Sequence, residues 1–216
     1  MINNIFPKIH KEGHKFIAIA VILSFVGLSF SKVIGLIFIL LTIWTYYFFR
    51  DPDRVSINQE KFFVSPADGL VSSITSVSGP KELGLDQKTF TRVSIFMNVF
   101  NCHVNRAPVT GTIDEIFYKP GKFINASLDK ASEENERNFY KIKTKGREEE
   151  VIVVQIAGLI ARRIVCEVQE KQEVKQGERI GIIRFGSRVD IYFNNRKILV
   201  QKGQNVIAGE SLIAED

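Results

Sequence analysis

A chain of 216 residues that is 45% hydrophobic has room for one ordinary domain plus a short appendage. Its formal net charge of +5 suits an anionic membrane surface, but the Lys and Arg are scattered and no aromatic RNA-binding motif accompanies them, which argues against a nucleic-acid partner. Cys102 and Cys166 sit in apolar runs without CxxC spacing, and two of the three histidines (His10 and His14) fall in a basic tail, so reduced core thiols in a cytosolic compartment and metal-free chemistry are expected.

From Phe16 to Phe49 the chain is almost wholly apolar. The apolar region is too long for a signal peptide and no small-residue cleavage site follows it, which argues against that alternative. One helix over this stretch would be roughly 50 Å long, far beyond a hydrocarbon core of about 30 Å, and would bury Lys32 near its middle. Two helices meeting at Ser29-Phe30-Ser31-Lys32 remove both problems. Lys8, Lys11 and Lys15 before the first arm, with Arg50 and Arg54 after the second, place both outer ends on the cytoplasmic side. Trp44, Tyr46 and Tyr47 form an interfacial belt. Each arm is near the lower limit for spanning, so full spanning and shallow insertion both stay open. Residues 1–53 are thus expected to be a membrane-associating segment and 54–216 one catalytic domain.

Beyond Asp53 short strand-like stretches alternate with turn residues. Ser65-Pro66-Ala67-Asp68-Gly69-Leu70-Val71-Ser72-Ser73-Ile74 returns as Ala107-Pro108-Val109-Thr110-Gly111-Thr112-Ile113-Asp114-Glu115-Ile116. A second pair is read as Val174-x-x-Gly177-x-x-Ile180 and Val200-x-x-Gly203-x-x-Val206. Such phrases belong to small β-barrel sandwiches, with Gly at the turns and β-branched residues inside. Arg92–Phe100 and Val151–Ile156 read as core strands. The polar stretch from Asn125 to Arg147 reads as a mobile loop or short helix. The expected fold is mainly β (α+β): a barrel-sandwich-like β domain with internal pseudo-repeats, preceded by a hydrophobic helical hairpin.

In Arg184-Phe185-Gly186-Ser187-Arg188-Val189-Asp190 a Gly-Ser pair stands between two strand-like stretches. The Ser187 hydroxyl is placed to attack the Gly186 carbonyl, and Gly tolerates the strained backbone this requires. Elimination of the resulting ester leaves dehydroalanine, which hydrolyses to a pyruvoyl group, an electron sink that does the work of pyridoxal phosphate.

This segment resembles the self-cleavage site of phosphatidylserine decarboxylases. Ser65-Pro66-Ala67-Asp68-Gly69, Phe100-Asn101-Cys102-His103-Val104-Asn105-Arg106-Ala107-Pro108 and Pro120-Gly121-Lys122-Phe123-Ile124-Asn125-Ala126 resemble the shorter bacterial and archaeal branch of that family, in the family's order. The resemblance implies a proenzyme cleaved into 1–186 and 187–216, a heterodimer of the two products, and a covalent pyruvoyl cofactor made from Ser187. It also implies decarboxylation of phosphatidylserine to phosphatidylethanolamine and carbon dioxide through a Schiff base to the pyruvoyl ketone, at the cytoplasmic face of the cell membrane. Longer family members carry two histidines in a Tyr-His-Arg-Val-His motif. Aligned on the following proline, His103 matches the first and Arg106 stands at the second. His103 serves both proton transfers in turn, or Asp68 acts more directly in cleavage. Arg162, Arg163 and Arg106 are candidates for the lipid phosphate or carboxylate. Two rival readings are a membrane-anchored adaptor or carrier of barrel-sandwich type, and a pyruvoyl decarboxylase of a soluble amino acid. The first lacks a modifiable Lys at a hairpin tip, and the second gives no reason for a lipid anchor.

Overall fold

The computed structural model describes residues 7–122, 134–146, 149–158, 163–184 and 187–216. The chain divides between Asp53 and Arg54 into two compact units.

The first unit is a helical hairpin, α1 (His14–Phe30) and α2 (Lys32–Phe48). The chain reverses at Ser31, which is extended (φ −161°, ψ 138°) and caps α2 by accepting the Val33 N–H through its hydroxyl at 3.3 Å. The break lies within the expected Ser-Phe-Ser-Lys segment. The helices approach closely at glycines: a Cβ on Gly35 would lie 2.9 Å from the Leu28 Cα. Ser24 and Thr42 join their hydroxyls across the interface at 3.0 Å, a polar link between otherwise apolar helices. The hairpin is tied at its open end, where the His10 N–H donates to the Phe49 carbonyl and the Asp51 N–H to the Lys8 carbonyl. Large side chains face outward, Phe25 and Phe30 at 70% and 80% exposure. The helical stretch Lys11–Phe30 is long and apolar enough to cross a membrane by length and composition, whereas α2 has 17 residues, about 25 Å of rise.

The second unit is β-rich. Its strands among the described residues are β1 (Phe62–Val64), β2 (Gly69–Ser78), β3 (Thr89–Met97), β4 (Val104–Arg106), β5 (Gly111–Lys119), β6 (Arg137–Thr144), β7 (Glu150–Ala157), β8 (Arg163–Cys166), β9 (Glu173–Val174), β10 (Arg179–Arg184), β11 (Ser187–Phe193), β12 (Lys197–Ile198), β13 (Asn205–Val206) and β14 (Leu212–Glu215). One sheet runs β13-β2-β3-β11-β7-β6-β5-β9, and two small sheets run β1-β14-β12 and β4-β10-β8. The main core lies between them, with Val71, Ile95, Ile113, Ile142, Val153, Ile183 and Ile191 among its members.

The pseudo-repeat seen in sequence is a structural one. Gly69 and Gly111 head β2 and β5, and a Cβ on either would collide with a neighbouring strand's carbonyl, that of Phe96 or Lys143. Each strand then shifts register at the same place, between Val71 and Ser73 and between Ile113 and Glu115. The second repeat differs from the expected pairing of Gly177 with Gly203. The Gly177 N–H donates to the Ala107 carbonyl and the Gly209 N–H to that of Ser65, so Gly177 matches Gly209. Gly203 instead matches Lys171: both have φ > 0 (90° and 66°), and their N–H groups donate to Val71 and Ile113. Spacing from valine to glycine misled the sequence pairing, because left-handed backbone at Lys171 carries no glycine to mark it.

Two other expectations are corrected. Within the stretch read as a loop, Arg137–Thr144 forms β6, with Phe139, Tyr140 and Ile142 buried between β5 and β7. Interposed charges hid its apolar alternation. Residues 125–133 and 147 of that stretch lie outside the described residues. Cys102 is buried as expected, but Cys166 is exposed on the short strand β8.

A second apolar cluster covers the opposite sheet face, where Leu83 and Leu85 pack with Phe90, Phe139, Ile152, Val154, Ile156 and Tyr192. Its covering turn is pinned by Glu82, which accepts from Lys119 and Arg137 at 2.9 Å each. Burial pushes the Glu82 carboxyl up, but these two cations outweigh it and leave it below its ordinary 4.5. A depressed folded value stabilises the fold above the ordinary one, and that contribution disappears as pH falls through the folded value. Glu82→Gln is therefore expected to lower the thermal midpoint by a few degrees at pH 7. The gap to the unsubstituted protein should close as pH falls below 4.5.

Candidate active site

Ser187 opens β11, the strand with full-length partners on both sides. Its register neighbours are Met97 on β3 and Ala157 on β7. All seven residues of β11 are buried. Strand alternation sends Val189, Ile191 and Phe193 into the main core together with Ser187, and Arg188, Asp190 and Tyr192 to the other face. The Ser187 hydroxyl is fully buried and donates to the Met97 sulfur at 3.5 Å. A thioether sulfur is a weak acceptor, so the hydroxyl is only lightly held in this dry position. Gly186 lies outside the described residues.

Met97 is the near end of a buried polar chain. Asn105 Nδ2 donates to the Met97 sulfur at 3.7 Å, Gln155 Nε2 to Asn105 Oδ1 at 2.8 Å, and the Tyr140 hydroxyl to Gln155 Oε1 at 2.7 Å. Burial, with the Cys166 thiol second, pushes the Tyr140 hydroxyl well above its ordinary value, so it remains a donor.

His103 is completely buried immediately before β4. Its Nδ1 stands 3.0 Å from the Asn101 carbonyl. A carbonyl only accepts, so Nδ1 carries the proton and Nε2 is the nitrogen suited to proton transfer. The His103 carbonyl accepts from the Ile183 N–H at 3.3 Å, which ties it to the end of β10, four residues from Ser187 along the chain.

Asp68 precedes Gly69, and pairing of Leu70 with Phe96 and of Phe96 with Arg188 puts this turn two strands from Ser187, roughly 10 Å across the backbone. Its Oδ1 accepts the Ala208 N–H and its Oδ2 accepts from Arg54, both at 2.8 Å. The pseudo-repeat separates these two functions. At the equivalent turn, the Thr110 hydroxyl accepts the Gln176 N–H at 3.0 Å. One oxygen of Asp68 therefore does what a threonine does in the other half of the fold, and Oδ2 is the group that threonine lacks.

The arginine candidates divide. Arg106 is buried and donates to the Gly177 carbonyl at 2.8 Å, so it braces the fold. Arg163 is exposed at the start of β8, opposite Arg184. Arg162 lies outside the described residues. Sequence reasoning missed Arg54, Met97, the Asn105–Gln155–Tyr140 chain and a buried ion pair on β11. In that pair, Arg188 Nε lies 2.9 Å from Asp190 Oδ1 and Nη2 donates to Oδ2 at 3.0 Å. Burial, with Asp190 second, pushes the neighbouring Tyr192 up to about 12. Opposite charges two apart in an apolar strand were a visible signal for this pair; sequence offered none for the others.

Similarity to known proteins agrees with this arrangement. The phosphatidylserine decarboxylase family model matches residues 41–214. The chain is 63% identical to the phosphatidylserine decarboxylase proenzyme of Pelagibacter ubique over the whole of both chains. It is 51% identical to that of Rickettsia typhi, covering 99% of this chain and 92% of the relative, and 55% identical to that of Azorhizobium caulinodans, covering 96% and 88%. The chain belongs to the phosphatidylserine decarboxylase family.

Proposed function

We propose that the chain is a pyruvoyl-dependent phosphatidylserine decarboxylase whose prosthetic group is made from Ser187. The observation that carries this reading is a fully buried serine hydroxyl at the head of β11, directly after Gly186 in sequence. Self-cleavage balances as follows. Ser187 Oγ bonds to the Gly186 carbonyl carbon, the Gly186–Ser187 C–N bond breaks, and the hydroxyl proton passes through a base to the freed amine. Loss of the Ser187 α-proton then breaks the Cβ–Oγ bond, and Gly186 leaves as a carboxylate carrying Oγ. The remaining dehydroalanine gains a proton at Cβ, adds water and releases ammonia, which leaves the ketone. That ketone supplies the electron sink for loss of carbon dioxide from a substrate amine.

His103 moves the protons: its Nδ1–H is anchored by the Asn101 carbonyl, which presents the ring in one tautomer with Nε2 as the exchanging nitrogen. Asp68, fixed by Ala208 and Arg54, is the accessory carboxylate. Because Thr110 fills the structural half of this role in the repeat, Asp68→Thr is expected to keep the fold, with the thermal midpoint lowered by several degrees for the loss of the Arg54 ion pair. It should split at least about 100-fold more slowly, as loss of a proton-transfer partner implies. Splitting at the unsubstituted rate removes Asp68 from the mechanism.

The hairpin within residues 1–53 anchors the enzyme to the membrane and residues 54–216 catalyse from the cytoplasmic side, so protease should attack the catalytic domain in inside-out vesicles and spare it in right-side-out ones. The direct test of the whole reading is the intact mass of the purified protein. Two chains, 1–186 and 187–216, with the smaller lacking a free amine and gaining mass on borohydride reduction, are expected. A single persistent chain refutes self-cleavage.

A further inference from the structure

From the contact between Ser187 and Met97, we infer that Met97 is a two-state lining of the cleavage centre, an acceptor for the serine hydroxyl before processing and an apolar wall for the pyruvoyl methyl afterwards. This rests on the self-cleavage reading above. The chemistry of residue 187 imposes an unusual demand on whatever touches its side chain. Before processing the side chain is CH2–OH, a donor that needs an acceptor in a site with no exposure. When Oγ departs with Gly186 and Cβ gains a proton, the same carbon becomes a methyl group with nothing to donate. A carboxylate or carbonyl placed there would satisfy the first state and stand unpaired and desolvated in the second. An aliphatic side chain would suit the second and leave the hydroxyl unpaired in the first. A thioether accepts weakly, packs as a hydrocarbon and carries no proton of its own, so it serves both states without rearrangement.

The surroundings hold Met97 to this task. It is fully buried at the end of β3, paired with Ser187 across the strands. Its sulfur also receives Asn105 Nδ2 at 3.7 Å, and Asn105 is itself held by Gln155 at 2.8 Å. The sulfur thus keeps one donor after Ser187 has lost its own. Because a thioether is no base, the hydroxyl proton must leave toward another group. Met97 therefore orients the nucleophile and does not activate it.

The sequence provides a clean test, since its two methionines are Met1 and Met97. Biosynthetic replacement of methionine by norleucine exchanges sulfur for CH2 with almost no change of shape, and among the described residues it alters Met97. Splitting of the norleucine protein, followed by intact mass, is expected to slow by about 5- to 10-fold, the scale of one modest hydrogen bond. The fraction that does split should decarboxylate with kcat within about twofold of the methionine protein. Met97→Gln, which keeps an acceptor but adds a hard polar group, should show the opposite split. Its processing should stay within about threefold, while kcat of the processed fraction should fall by about tenfold or more. Equal effects on both steps in both proteins, or no effect on splitting in the norleucine protein, overturns the role of Met97 while leaving self-cleavage standing. Failure of the unsubstituted protein to split overturns both.

Discussion

Ser187→Ala is expected to yield one chain of 216 residues with one buried hydroxyl missing and nothing else changed, and activity more than about 1,000-fold below the processed enzyme. Under the proposed self-cleavage, the substitution removes both the nucleophile and the carbon–oxygen bond whose elimination creates the ketone. Among the described residues no neighbour replaces it. Along β11 the side chains on the Ser187 face are Val189, Ile191 and Phe193, and among the described residues its hydroxyl meets the Met97 sulfur. The fold should survive, because alanine removes one buried oxygen whose acceptor is weak. Intact mass and thermal melting together check this: an unsplit, normally melting, inactive protein is the expected result. A split chain in the alanine variant would place the scissile bond elsewhere.

Asp190→Asn, made in the Ser187→Ala background so that one unbroken chain is melted, is expected to cost about 3–5 kcal/mol. For a unit of this size that lowers the thermal midpoint by roughly 10 °C. Arg188 and Asp190 are 3% and 0% exposed and meet through two close contacts on one face of β11. Asparagine preserves shape but removes the Asp190 charge from beside the buried Arg188 guanidinium, which is the costly case. Replacing both residues together, Arg188→Met with Asp190→Leu, removes the uncompensated charge and should recover most of the loss. A double variant as unstable as the single one would show that the pair matters for shape, not charge. The pair also bears on function. Arg188 follows Ser187, so under the proposed self-cleavage it would be the first ordinary residue of the new chain, and its anchorage would fix the end that carries the reactive group.

Asp68 shows how far sequence reasoning reaches at the site. The Pro-Ala-Asp-Gly phrase marked the residue, and its repeat partner Pro-Val-Thr-Gly marked an equivalent turn. Only the structure shows that Thr110 and Asp68 accept equivalent backbone N–H groups, from Gln176 and Ala208, which isolates Oδ2 as the extra chemistry. Arg54 could not be foreseen as its partner, because fourteen residues of irregular chain separate the two and no periodicity links them. Arg106, a lipid-binding candidate on charge alone, proves to hold the Gly177 carbonyl inside the fold, a partner 71 residues away.

The sequence by itself determined the hairpin break near Ser31, the β-rich class, the repeated Gly turns, the family and the Gly186-Ser187 pair. Each is written in local composition: apolar run length, glycine where backbone crowds backbone, and a dipeptide with its own chemistry. The tertiary structure decided what depends on strands distant in sequence. It turned the charged stretch at Arg137–Thr144 into an interior strand and matched Gly177 with Gly209. It also brought the Met97 sulfur onto the Ser187 hydroxyl across ninety residues. Register between antiparallel strands makes such contacts, and a register that joins remote segments is set by packing of the whole sheet, not by any window of the chain.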